Sequence, residues 1–433
     1  MNNILPSDWS IKKLSEIASI VSGGTPSRDV AEFWSPTEIE WVTPTDITRG
    51  NLRVLRSAKE KISKKGLSNS STKMLPINTI LMTSRATLGE MKVSGIECCT
   101  NQGFKSLIPK ANTDVWFLYY QMIRKKADYE GLGIGSTFLE VNKKDTDNFE
   151  IEFPPYEQQQ KIAKILSTVD NLIENTQSLI DKYTSVKQGM MADLFTRGID
   201  LSGTPESNKN YGQLRPNVTE ASELYQETEL GWVPKDWEVL PCEGLCDRIC
   251  VGIVIKPTQY YVNYGVPALR SANVRESGID PNNFVYISTE SNTLLAKSQI
   301  KTGDVLSVRT GYPGTSAVVP DEFNGSNCID ILISSPNKRV LSEYLCEWIN
   351  SEFGKGQVLR MQGGIAQQHF NVGDMKLLLV ALPTEAEQMK IIDGLNSVKN
   401  KIKTEEAIVH KYRKQKKGLM HDLLTGKVSV KSD

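Results

Sequence analysis

Residues 182–196, KYTSVKQGMMADLFT, return as KYRKQKKGLMHDLLT at residues 411–425, with eight of fifteen positions identical at a spacing of 229. In a chain of 433 residues such an echo predicts two copies of one architecture. The echo runs outward in constant order. Pro-Ser-Asp-Trp at 6–9 answers Pro-Lys-Asp-Trp at 234–237, and Asp46-Ile47 answers Asn273-Val274. The segment around Arg85 answers that around Arg309 at a spacing of 224, and Asn101 answers Asn327 at 226. QQKI at 159–162 answers QMKI at 388–391, again at 229. Each half therefore reads as a mixed globular domain followed by one long helix.

The first helix follows Pro154-Pro155, which cannot sit inside it. Ile162, Ile165, Val169, Leu172, Leu179, Tyr183 and Val186, with Thr176 and Met190, alternate steps of three and four, a heptad seam. The second helix follows Pro383 and offers Ile391, Leu395, Val398, Ile402, Ile408 and Tyr412, with a break near Glu405. Each spans about 40 residues, hence roughly 60 Å. One apolar stripe needs another, so the two helices are expected to pair antiparallel as a coiled coil. The alternative is that each packs on its own domain.

The expected fold class is α+β: two mixed α/β domains joined and separated by two long antiparallel coiled-coil helices, with a pseudo-twofold internal repeat. The boundaries read as domain 1 at 1–153, helix at 154–200, linker at 201–228, domain 2 at 229–382 and helix at 383–433. The linker is polar, with prolines and glycines and few aliphatics, and reads as a surface segment. Inside the domains, strands are expected near 40–42, 79–83 and 304–308, and helices near 115–126 and 342–352.

Composition narrows the function. Lys and Arg total 51 and so do Asp and Glu, so binding to DNA by phosphate contacts alone is not expected; it would be local or shared with a partner. No apolar run reaches the roughly 18 residues of a membrane span, and the first residues lack a signal-peptide pattern, so a cytoplasmic location is expected. Cys242, Cys246 and Cys250 recur every four residues, one stripe if helical. A three-thiolate metal site and buried free thiols both fit that spacing, and the second is the ordinary use.

No catalytic set stands out. HExxH, GxSxG and GxxxxGK[ST] are missing from the sequence. GLGIGSTF at 131–138 has glycine spacing without a βαβ context, and reads as a tight turn. FPPY at 153–156 resembles the Asn/Asp-Pro-Pro-Tyr loop of DNA amino-methyltransferases, but Phe153 cannot hydrogen-bond an amine. Two nearly copied helices and two divergent globular domains suit a chain that binds two copies of one partner and reads two different targets.

Several motifs carry a resemblance that covers nearly all of the chain outside the linker. SGGTPSR at 22–28, WVTPTDI at 41–47, SRATLG at 84–89, NQGFK at 101–105, GSTFLEV at 135–141 and PPYEQQQKIAKIL at 154–166 are similar to the specificity subunit of type I restriction–modification enzymes. ELGWVPKDWEV at 229–239, LPTEAEQMKII and KKGLMHDLLTGKV resemble its second half. The resemblance implies two target-recognition domains, each reading one half of a split, asymmetric site in double-stranded DNA. It implies two methyltransferase subunits as partners, which carry S-adenosylmethionine, and usually two restriction subunits. It implies no catalytic residue, metal or cofactor in this chain. A stand-alone DNA-binding scaffold and an intact modification enzyme are the other readings.

For DNA contact, domain 1 offers Gly24, Thr25, Ser27 and Arg28, then Thr45, Asp46, Arg85 and Gln102. Arginine suits guanine edges and glutamine suits adenine. By repeat position domain 2 offers Lys256, Arg270, Asn273, Arg309 and Asn327, and Gln367 belongs to a polar run ending at His369. SGGTPSR becomes VGIVIKP in the second copy, which fits a different half-site.

Overall fold

The computed structural model describes residues 5–85, 87–134, 139–361 and 369–430. Its residues form two compact units, Met1–Leu179 with Glu405–Asp433, and Ile180–Thr404. The cut falls inside both long helices, Tyr156–Thr196 and Glu385–Leu424. Each unit therefore owns one globular domain, the beginning of that domain's trailing helix and the end of the other helix.

In the first unit a five-stranded sheet runs in the order Ala18–Ser22, Lys105–Pro109, Ile80–Met82, Met91–Ser94, Val54–Leu55. A three-stranded sheet places Ile39–Val42 between Glu60–Ile62 and Cys99–Thr100. The second unit has the same plan. Cys246–Val251, Ile331–Pro336, Val305–Val308 and Ser316–Val318 form one sheet. Tyr261–Val262, Val285–Ile287, Val266–Leu269 and Asn327–Cys328 form the other. The expected strands and helices are present, the helices as Val115–Arg124 and Ser342–Asn350. The fold class is the one expected.

Repeated residues do repeated work. Gln159, fully buried, accepts the Asp114 N–H (2.9 Å) and donates to the carbonyls of Pro154 (2.9 Å) and Asn112 (3.2 Å). Gln388 accepts the Leu341 N–H (2.8 Å) and donates to Pro383 (3.1 Å) and Arg339 (3.0 Å). Each glutamine locks the start of a long helix to the N-terminus of the helix in its domain. Trp9 donates its indole N–H to Gln158 (2.9 Å), and Trp237 donates to Glu387 (3.1 Å). Glu387 is also held by Arg215 at 2.5 Å, so the linker sends one arginine into the core rather than running wholly along the surface.

Each helix ends on a glycine with positive φ, Gly198 at 61° and Gly426 at 71°. A side chain at Gly198 would collide with Trp237, and one at Gly426 with Pro6, so close approach as well as conformation requires glycine. The repeated helix ending thus docks on the domain of the other copy. Phe195 packs edge-on against Tyr344 (5.6 Å) and Trp348 (5.3 Å) in the second unit. In the first, Leu423 and Leu424 join the core of Phe117 and Leu166, and Gln121 donates to the Leu424 carbonyl (3.1 Å).

The helices run antiparallel in both units. Asp170 meets Lys416 (2.7 Å) in the first; in the second the Lys401 ammonium lies 5.8 Å from the Tyr183 ring. The seam of the second helix includes the expected Ile391, Leu395, Val398, Ile402 and Tyr412, with Val409 rather than Ile408 most buried. That of the first needs correction. Ile162, Val169 and Tyr183 turn inward, but Ile165, Leu172 and Val186 are between 37 and 42 % exposed, and Leu179 is half-buried. Leu166, Ile173, Ile180 and Lys187 take the inner positions instead. Lys187 turns in because Glu347 waits for it (3.4 Å), a polar attraction that counting apolar residues misses.

The cysteine stripe is also corrected. Cys246 and Cys250 lie on a strand, not a helix, and all seven cysteines are free and buried. Burial pushes the Cys98 thiol up to about 11 and the Cys99 thiol up to about 12, which leaves both inert at neutral pH. Among the described residues no cluster has the makings of a metal site.

Candidate nucleic-acid interface

Four segments of the first domain meet at one edge. Gly24 donates its N–H to the Thr100 carbonyl (2.9 Å), packed so closely on Ser71 and Thr72 that no Cβ would fit. The next residue, Thr25, donates its hydroxyl to Gln102 (2.5 Å). Ser84 accepts the Val141 N–H through its carbonyl (3.1 Å), and Arg85 beside it pairs with Glu140 (2.8 Å). Lys105 points to the same place, 3.6 Å from Glu140 and 3.3 Å from the Ser84 hydroxyl. Burial pulls the Lys105 ammonium below its usual pKa; the Glu140 charge opposes that, and Arg85 reinforces it. Two cations thus share one carboxylate. Lys105 was missed in sequence because a strand lysine gives no periodicity signal, although it closes the NQGFK motif.

Arg28 is exposed and stacks over Trp34 (3.7 Å to the ring centre) while pairing with Glu60 (2.6 Å). Ser27 and Thr45 are exposed. Asp46 is not: its carboxylate accepts the Thr43 N–H and hydroxyl (2.8 Å each) and the Lys59 N–H (3.0 Å). It caps a turn and offers nothing to a groove. Asn273, at the matching place, donates to the carbonyls of Asp280 (3.0 Å) and Asn282 (2.9 Å) and is equally buried.

Backbone pairing corrects two alignments of the repeat. Thr83 bonds Glu90 and Gly89 as Val308 bonds Thr315 and Gly314, and Val141 bonds Ser84 as Phe370 bonds Arg309. Arg309 therefore stands in the place of Ser84, and Arg85 answers Thr310. Likewise Cys99 pairs Trp41 as Asn327 pairs Ala268, so Asn327 answers Cys99 and not Asn101. Asn327 is fully buried and donates to Asn292 (2.9 Å), which takes it off the surface. Matching two like residues slid each alignment by one or two positions.

In the second domain Arg309 forms an ion pair with Asp330 and donates to the Phe370 carbonyl (3.3 Å). Thr310, where the first domain has Arg85, meets His369 (3.2 Å), where the first has Glu140. Lys256 is exposed in a left-handed backbone conformation (φ 41°) at the tip of its loop. Arg270 donates to the Asn283 carbonyl (2.8 Å). Gln367 lies outside the described residues.

The fold defines a duplicated class of protein: one plan of domain used twice, with unlike loop edges, each copy packed on segments of two long helices. Comparison with known proteins gives the family. The pattern described as "Type I restriction modification DNA specificity domain" matches residues 6–183 and again 234–411. The chain belongs to that family. The type I restriction enzyme MjaIX specificity subunit of Methanocaldococcus jannaschii is 31% identical over 237 residues, 54% of this chain and 51% of that protein. The MjaVIII specificity subunit of the same organism is 24% identical over 443 residues, 99% of this chain and 95% of that protein. A crystal structure of the type I restriction–modification S subunit from M. genitalium shares the fold, with a TM-score of 0.60 at 14% identity, over 100% of this chain and 98% of that one. No helix among the described residues is long and apolar enough to cross a membrane.

Proposed function

We propose that the chain is the DNA-specificity subunit of a type I restriction–modification complex. Each recognition domain reads one half of a split, asymmetric site in double-stranded DNA. Two methyltransferase subunits dock on the helical regions, bring S-adenosylmethionine and methylate an adenine in each half. Two restriction subunits complete the assembly. The chain itself performs no chemistry. The observation that carries this reading is the family match occurring twice, at equivalent positions, over two domains whose loop edges differ. Unlike half-sites demand unlike reading residues, whereas two copies of one partner demand like docking surfaces. A long-read methylome of cells with the neighbouring methyltransferase, with and without this chain, tests it. A split adenine-methylated motif is expected only when the chain is present.

Two narrower outcomes follow. Arg85→Ala should change recognition of one half-site and spare the other, with a loss of about 1–3 kcal/mol of discrimination, read by methylation of half-site variants. Loss in both halves together would contradict modular reading. On the first helix Ile165 and Leu172 stand one heptad apart and outside the seam, which leaves an apolar stripe for a helix of a partner; the second helix has Gly394 and Lys401 at the matching places, so the stripe adds to the docking of one of the two copies. Replacing both by Asp should shift stability by only about 1 kcal/mol or less, since neither is in the core. The same variant should co-purify with one methyltransferase subunit instead of two. Normal assembly would remove this stripe from the docking surface.

A further inference from the structure

The corrected register of the repeat exposes a difference of chemistry between the two reading edges. Gly24 bonds Thr100 as Ile253 bonds Cys328, so Thr25 answers Val254, and Ser27 answers Lys256. The turn register makes Thr87 answer Tyr312. Where the first domain presents a hydroxyl bonded to Gln102 and the Arg85 guanidinium on a carboxylate that the buried Lys105 also approaches, the second presents Val254, Ile255 and Tyr312. Ile255 is 75 % exposed and Tyr312 79 %. Single exposed apolar residues need no explanation, but these stand on two loops that meet at one residue. Asp330 donates its N–H to the Ile253 carbonyl (3.1 Å), and its carboxylate holds Arg309, three residues before Tyr312. Arg309 is held by Asp330 and only 18 % exposed, whereas Arg85, paired with Glu140 in the first domain, keeps 45 % of its side chain open; Lys256 flanks the apolar tip for a phosphate.

On the major-groove edge of a base pair the thymine methyl is the apolar group, and guanine N7 and O6 are the paired acceptors. Resting on the reading that these edges face DNA, we propose that the second domain recognises its half-site through thymine methyl groups, by way of Val254, Ile255 and Tyr312. The first domain recognises its half-site through guanine acceptors, by way of Arg85.

The test uses the full chain with its methyltransferase and the duplex defined by the methylome, Arg85→Ala assigning the first half-site. Thymine is replaced by uracil, which removes the methyl and keeps the pairing, in one half-site at a time. Uracil in the second half-site is expected to weaken binding by about tenfold and in the first to change nothing. Replacing guanine by its 7-deaza analogue should give the opposite pattern. Val254→Ser with Ile255→Ser should erase the thymine–uracil difference while leaving the melting temperature in place, since both side chains are exposed. Equal uracil effects in both halves, no effect in the second, or a second half-site without thymine would overturn the proposal. So would a Ser variant whose defect is loss of methyltransferase assembly rather than loss of the methyl preference. If the unmodified duplex is neither bound nor methylated, it is the specificity-subunit reading itself that fails.

Discussion

Glu347→Tyr is expected to destabilise the chain by about 3–5 kcal/mol, the range for removing one member of a buried charge pair. Glu347 is 3 % exposed and holds Lys399 at 2.6 Å and Lys187 at 3.4 Å. Without it two lysines face each other in a half-buried site. The first unit solves the same corner differently. There Tyr120 takes the place of Glu347, Asp170 that of Lys399, and Lys416 that of Lys187. Asp170 accepts from the Tyr120 hydroxyl (2.7 Å) and pairs with Lys416 (2.7 Å), and Arg53 donates to Tyr120 (2.8 Å) and lies 3.5 Å from Asp170. The carboxylate has moved from the domain to the helix. Glu347→Tyr combined with Lys399→Asp rebuilds the Tyr–Asp–Lys part of that arrangement, without Arg53, and should recover part of the loss. Chemical unfolding of the two single variants and the double variant measures the coupling. A double variant no better than the sum of the singles would show that the corners are not equivalent.

Phe195→Ala is expected to cost about 3–5 kcal/mol, as large aromatic truncations in a core do. Phe195 is 1 % exposed, with Tyr344 and Trp348 both edge-on to its ring. Leu424→Ala, at the matching position of the second helix and fully buried, should cost about 2–5 kcal/mol. Thermal unfolding of both gives the comparison. The losses belong to the last turns of the helices, where the sequence repeats most closely. That closeness has a physical reason, because each ending must fit a domain of the same plan. A small loss at Phe195 would mean that the helix end is only loosely seated.

Much of the architecture was legible in sequence because duplication states it twice. The strands near 40–42 and 304–308 and the helices after Pro154-Pro155 and Pro383 were all readable from alternation and prolines. The seam of the first helix was half legible. Carrying the second helix back by 229 puts Ile162, Leu166, Val169, Ile173, Ile180, Tyr183 and Lys187 inward, and none of them is exposed. The apolar count preferred Ile165 and Val186 because it could not know that Lys187 has an acid waiting in the fold. The reading edge was less legible for a related reason. Asp46, Asn273 and Asn327 are polar residues in loops or at strand ends, and sequence alone does not separate those that cap turns from those that face outward. Thr310 was invisible because an arginine next to it drew the alignment.

The buried polar contacts between the helices also act on sliding. Moving one helix past the other by a heptad is a shift of about 10.5 Å that keeps every apolar stripe in contact. Such a shift would be nearly silent in a purely aliphatic coiled coil. Here it would bring Lys416 opposite Ala163 or Gln177 instead of Asp170, leaving Asp170 with Arg53 (3.5 Å) as its one remaining cation and Lys416 without its acid. In the second unit whichever helix moved would carry its own lysine, Lys187 or Lys399, away from Glu347. A displaced register is therefore penalised by unpaired charge before packing notices it, and the helix pair behaves as a keyed joint with one seated position.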